Sequence, residues 1–100
     1  MLRAAIAPRL HLFVCANRRE ADSPLGAGCG DAGEATYAAL KAEVARLSAY
    51  RTIWVTKTHC LGVCPKRGCT VAVHPPGALF AEVEAADAAM LVAHMNGSTT

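Results

Sequence analysis

Four short apolar runs and two longer apolar stripes divide the chain. Leu10, Leu12 and Val14 alternate with His11 and Phe13, so Leu10 to Cys15 reads as a strand apolar enough to lie inside a sheet. Asp31 to Ala49 reads as a helix. Tyr37, Leu40, Val44 and Leu47 fall at i, i+3, i+7 and i+10 on one stripe, and Lys41, Glu43 and Arg46 belong to the solvent side. Asp31 and Glu34 have the spacing of a capping box at its start. Thr52 to Thr56, centred on Ile53, Trp54 and Val55, is a second strand. Cys69 to His74, with Val71 and Val73, is a third, and Ala78 to Val83 is a fourth. Pro75-Pro76-Gly77 is a turn short enough to make the last two strands an antiparallel hairpin. Ala85 to Met95 closes the pattern as a helix, with Ala88, Leu91, Val92 and Met95 on one stripe and Asn96-Gly97 as its stop.

Two segments break the pattern. Ala16 to Gly30 carries Asn17, Arg18, Arg19, Glu20, Asp22, Ser23 and Pro24, then Gly26, Gly28 and Gly30, which is loop chemistry without a period. Lys57 to Gly68 is a second loop, and residues 97–100 form a frayed tail. A strand, a helix and a strand within about 50 residues make a βαβ unit, with parallel strands and a right-handed crossover. The order β-α-β-loop-β-β-α is that of an α/β, thioredoxin-like core: a four-stranded mixed sheet with two main helices. No internal repeat or boundary divides it, so residues 1–100 are expected to form one domain with an ordered core from about residue 9 to 96.

Composition adds constraints. The chain is 53% hydrophobic, but much of that is alanine and only five residues are aromatic, so a metal site or a partner subunit would help to stabilise the core. A net charge of +2 is too small to argue for nucleic acid, and no aromatic residues interleave with the basic ones. No run approaches the roughly 20 apolar residues of a membrane span. Arg3, Pro8, Arg9 and His11 interrupt the apolar N-terminus and no signal cleavage site stands out, so the chain reads as cytoplasmic. Five cysteines at uneven spacing fit metal binding or redox chemistry better than a secreted disulfide scaffold.

The cysteines carry the candidate chemistry. Cys60-Leu61-Gly62-Val63-Cys64-Pro65 places two thiols four residues apart, so that in a helical turn or tight loop they point the same way, and Pro65 stops a helix from continuing. Cys15 ends the first strand, and Cys29 sits between Gly28 and Gly30. Parallel strands share a C-terminal edge, so Cys15 and the Cys60/Cys64 pair should meet there, where open α/β sheets place their sites. The intervals are Cys15-x13-Cys29-x30-Cys60-x3-Cys64. Four converging thiolates can hold a tetrahedral zinc or an iron-sulfur cluster. The paired Cys-x2-Cys knuckles of zinc ribbons are absent, and a [2Fe-2S] rhomb could take Cys60 and Cys64 on one iron and Cys15 and Cys29 on the other. A thiol-disulfide pair, Cys60 with Cys64 or Cys64 with Cys69, is a third reading, although the Cys-x2-Cys of that chemistry is also missing. His59 reads as an ordinary loop histidine. Arg18, Arg19, Lys57, Lys66 and Arg67 all fall in the two cysteine loops, where they could offset a cluster's charge, dock an acidic partner, or simply be solvated.

The runs Leu12-Phe13-Val14-Cys15-Ala16-Asn17-Arg18, Gly28-Cys29-Gly30, Cys60-Leu61-Gly62-Val63-Cys64-Pro65 and Val71-Ala72-Val73-His74-Pro75 together resemble the thioredoxin-like [2Fe-2S] ferredoxins over residues 10–95. The second cysteine pair is also similar to the iron-sulfur subunit of respiratory complex I, whose first pair lies closer together. The resemblance implies a one-electron carrier that is not an enzyme. It implies a [2Fe-2S] cluster on Cys15, Cys29, Cys60 and Cys64, a redox partner protein, and a homodimer. Family members commonly have Gly-Pro where this chain has Gly68-Cys69. Cys69 is therefore a fifth thiol near the site, expected to be a small buried residue opening its strand rather than a substitute ligand or a redox-active thiol.

Overall fold

The computed structural model describes residues 1–18, 28–62, 65 and 67–97. Its elements are β1 (Leu10–Cys15), α1 (Gly30–Arg46), β2 (Ile53–Thr58), β3 (Cys69–His74), β4 (Ala78–Val83), one 3-10 turn (Ala85–Asp87) and α2 (Ala88–Gly97). The expected order is therefore observed, and so is the mixed four-stranded sheet, in the order β2-β1-β3-β4.

β1 lies inside the sheet, between β2 and β3, as its apolar run predicts. β1 pairs in parallel with β2, from Leu10↔Ile53 to Cys15↔Thr58, and antiparallel with β3, from His11↔His74 to Val14↔Val71. β3 and β4 form the antiparallel hairpin. Gly77, at φ +94, closes the turn by donating its N–H to the Val73 carbonyl at 2.7 Å.

Alternation sorts the two faces of the sheet. Leu10, Leu12 and Val14 join Ile53, Val55, Val71 and Val73 in the core, against Leu40 and Val44 of α1 and Leu91 and Val92 of α2. Each large aliphatic buried there contributes about 1.5–3 kcal/mol. His11, Phe13, Trp54 and His74 share the other face. The His11 ring stacks on Phe13 at 4.0 Å and meets Trp54 edge-on at 5.6 Å, while Phe13 meets His74 edge-on at 5.7 Å.

Several expectations need correction. The capping box does not form: Cys29 takes the N-cap position in helical conformation with no side-chain cap, and Asp31 and Glu34 turn outward to Arg18 and Lys57. The buried face of α1 runs through Gly33, Thr36, Leu40 and Val44, leaving Tyr37 half-buried and Leu47 exposed. The helix stops at Arg46 rather than Ala49 because Ser48 turns left-handed, at φ 53, and the Ala49 N–H returns to the Val44 carbonyl at 3.0 Å. β2 runs on to Thr58, because the β1 ladder continues through Val14↔Lys57 and Cys15↔Thr58. The last helix opens as a 3-10 turn, where the Asp87 carboxylate accepts the Glu84 N–H at 2.9 Å. Its expected stripe of Ala88, Leu91, Val92 and Met95 is buried throughout.

Candidate metal centre

Cys15 is fixed by backbone on both sides. The Ala16 N–H donates to the Thr58 carbonyl at 3.0 Å, carrying the parallel ladder past the end of β1. On the helix side α1 comes unusually close. A Cβ on Gly33 would stand 2.8 Å from the Ala16 Cα and closer still to the Cys15 carbonyl oxygen, so only glycine fits. Cys15 is thereby fully buried at the C-terminal edge of β1.

Cys29 reaches the same place from the other end of its loop. The Gly30 N–H donates to the Asn17 carbonyl at 3.0 Å, and the Arg18 guanidinium meets Asp31 at 2.7 Å. Gly28, at φ +83, presses against that same Asn17 carbonyl, where a side chain would collide. Residues 19–27 lie outside the described residues, but the two ends of their loop touch. This contact sets Cys29 beside Cys15. Burial, first, and a hydrogen bond with Cys15, second, push the Cys29 thiol up to about 12, while the Thr70 backbone N–H at its sulfur acts the other way.

Cys60 arrives from β2. It stands two residues past Thr58, the register partner of Cys15, which is about 7 Å of extended chain. Its side chain is exposed, its loop is anchored by the half-buried Leu61, and the Gly62 N–H points at its sulfur at 3.2 Å. Gly62 reaches that orientation at φ +92. Cys64, the fourth expected thiol, lies outside the described residues, as do Arg19 and Lys66. None of Cys15, Cys29, Cys60 and Cys69 is in a disulfide. Among the described residues no three Cys, His, Asp or Glu side chains stand close enough to hold one ion.

Sequence reasoning passed over two residues here. Thr36 and Thr70 are fully buried polar residues beside the thiols. Thr36 lies near Cys69 on the buried face of α1, yet its hydroxyl has no partner at hydrogen-bonding geometry. Its spacing from Gly33, one turn earlier on a stripe of small residues, was the available signal. The described basic residues of the two loops are each matched with a carboxylate: Arg18 with Asp31, Lys57 with Glu34 at 3.2 Å, and Arg67 with Glu82 at 2.9 Å.

No protein-family model and no curated protein matches this sequence. Solved structures do. The wild-type thioredoxin-like [2Fe-2S] ferredoxin from Aquifex aeolicus superposes with a TM-score of 0.80 at 26% identity, over 92% of this chain and 90% of that one. A cysteine-to-serine variant of that ferredoxin gives 0.79 at 25% identity, over 89% of each chain. A second such variant gives 0.78 at 25%, over 88% of each. The resemblance read from the sequence extends to the fold. Among the described residues no helix is long and apolar enough to cross a membrane.

Proposed function

We propose that this protein is a ferredoxin, a one-electron carrier that holds a [2Fe-2S] cluster on Cys15, Cys29, Cys60 and Cys64. The observation that carries this reading is the meeting of Cys15 and Cys29 at the edge of the sheet from which the Cys60 loop also leaves, in a fold shared with [2Fe-2S] ferredoxins. The chain's own groups fit such a group. The donors are soft thiols, the Gly62 N–H already points at the Cys60 sulfur, and the Thr70 N–H meets the Cys29 sulfur.

When bound, the cluster supplies a one-electron couple at a net charge of about −2 in its oxidised form. The protein contributes burial on one side and exposure on the other. Cys15 and Cys29 are shielded from water, which disfavours added negative charge, and the N–H donors at sulfur favour it. The exposed Cys60 gives the site its face toward a redox partner protein. The reading assigns no catalytic group, and it places the site on one domain whose core runs from about residue 9 to 96.

The homodimer that the resemblance implies would use the sheet face bearing His11, Phe13, Trp54 and His74. These rings already pack on one another, and the two helices, which touch each other, lie over the aliphatic face. Chain that is purified anaerobically should be red-brown, contain about two irons and two sulfides per chain, and give a rhombic EPR signal on reduction. Colourless protein with stoichiometric zinc would instead establish a zinc-stabilised binding module. Light scattering should find a dimer that Trp54→Glu dissociates, and a monomeric wild type would remove that part of the reading.

A further inference from the structure

Residues 1–7 are apolar chain that the core does not use. They form no helix or strand, and Leu2 (98% exposed) and Ile6 (71%) stand in solvent. The two lie four residues apart, on one face of the arm whether it is extended or helical. The root of the arm is fixed. The Arg9 N–H donates to the Thr52 carbonyl at 2.8 Å, and the Arg9 guanidinium donates to the Asn96 side chain. Pro8 then restricts Ala7 to extended backbone, which holds the arm off the core that it leaves. Residues 1–9 carry Arg3 and Arg9 and no Asp or Glu, and among the described residues Arg3 has no carboxylate partner.

The same chain carries an open seat for such a segment. A groove of about 350 Å³ runs between α2 and β4, the free edge of the sheet. Phe80, Val83, Met90 and Leu91 make it apolar, and Met90 is 67% exposed. Glu82 and Asp87 add two carboxylates. Glu82 is paired with Arg67, whereas Asp87 has no ion pair among the described residues. A second hollow of the same volume, between α1 and β2, presents Lys41 instead and would repel the cations of the arm.

We propose that the arm of one copy docks in the β4–α2 groove of a second copy, with Leu2 and Ile6 against Met90 and Leu91 and Arg3 toward Asp87, so that two copies exchange arms about a two-fold axis. Every chain carries both halves of this contact, and within one chain they do not meet. A two-fold axis satisfies both grooves at once. Seven extended residues span about 23–25 Å, enough to pass the ~10 Å depth of a packed layer. The free edge of β4 also offers unpaired N–H and C=O groups to an extended segment. The exchange goes beyond the sheet-face contact proposed above and needs neither that contact nor a cluster.

Sedimentation velocity over a dilution series of the full chain reads the dimer constant, with circular dichroism as the folding control. Leu2→Ser with Ile6→Ser leaves the core untouched and withdraws two aliphatic side chains from each groove. This variant should weaken the dimer at least about a hundredfold. Met90→Glu, on the groove side, should weaken it comparably. Arg3→Glu should weaken it severalfold at low salt and much less at about 1 M salt, where charges are screened beyond ~3 Å. Trp54→Glu in the same series reads the sheet face separately. Benzoylphenylalanine in place of Leu2, irradiated in an equal mixture of isotopically light and heavy chains, should cross-link to residues 80–91 and join light chains to heavy ones. Cross-links confined to single chains, or falling outside that stretch, overturn the proposal. A dimer that Trp54→Glu dissociates but the arm and groove substitutions leave as tight as wild type overturns the arm exchange alone. A monomeric wild type overturns both contacts.

Discussion

Gly33→Ala tests the close approach of α1 to the end of β1, because two effects oppose each other there. In an ordinary helix interior, alanine is favoured over glycine by about 1 kcal/mol. Here the new Cβ would lie 2.8 Å from the Ala16 Cα and nearer still to the Cys15 carbonyl oxygen. Carbon atoms in contact prefer about 3.5–4.0 Å, so the overlap approaches about 1 Å. Both obstructing groups are backbone, and no rotamer change relieves the collision. Overpacking of this kind costs about 1–3 kcal/mol, occasionally more. Taking the upper end against the gain in propensity leaves a net loss of about 2 kcal/mol. In a domain of this size that lowers Tm by about 8–16 °C. The apo chain measured by circular dichroism gives the stability, and iron content after reconstitution reads the second consequence, because the helix can be relieved only by shifting Cys15. Unchanged or raised Tm with full iron loading would refute the close packing of α1 on Cys15.

Leu40→Ala removes a fully buried side chain from the centre of the α1 stripe and should cost about 2–5 kcal/mol by urea unfolding, whereas a loss below about 1 kcal/mol would mean that the stripe is misassigned. In the apo chain at pH 8, a Cys29 thiol near 12 is ionised only to ~1 part in 10⁴, so iodoacetamide should modify the exposed Cys60 at least about a hundredfold faster. Peptide mass mapping checks this, and equal rates would contradict the burial of Cys29. Burial, first, and the neighbouring His74, second, hold His11 below its ordinary 6.5. The unfolded chain therefore takes up this proton first, and the contribution of His11 is complete above 6.5 and lost as pH falls. Melting at about pH 7.5 and pH 5.5 should show that loss, and His11→Phe should flatten it, while an unchanged slope in the variant would assign the effect to other groups.

The fold was legible because each strand announces itself by apolar content and each helix by a stripe. β1, β3 and β4 begin and end where alternation places them. The errors have local causes. The Asp31/Glu34 spacing is right for a cap, but the Asn17 carbonyl pulls the chain into helix one residue early and makes Cys29 the N-cap. The end of α1 was misplaced because a left-handed serine at position 48 carries no sequence signal comparable to glycine. At the site, the shared edge of Cys15 and Cys60 follows from parallel pairing and was readable. The nearness of Cys29 to Cys15 was not readable from spacing, since 13 residues of loop separate them; it depends on the Gly30–Asn17 bond and the Arg18–Asp31 pair. Thr36 was invisible for a related reason: threonine on a buried helix face acquires meaning only once the neighbouring strand brings Cys69 against it.

Charge shows the limit of counting residues along a chain. Half of the ten basic residues fall in or beside the cysteine loops, which by number alone describes an electropositive collar. In three dimensions Arg18, Lys57 and Arg67 each face a carboxylate supplied by a different element: α1 for the first two, β4 for the third. Exposed pairs of this kind contribute about 0–1 kcal/mol to stability, so their larger effect is to cancel field. They also act as struts. Arg18–Asp31 closes the loop that delivers Cys29, Lys57–Glu34 ties β2 to α1 beside Cys15, and Arg67–Glu82 holds the approach to Cys69 against β4. The three described cations of that set are thus engaged in positioning the thiols.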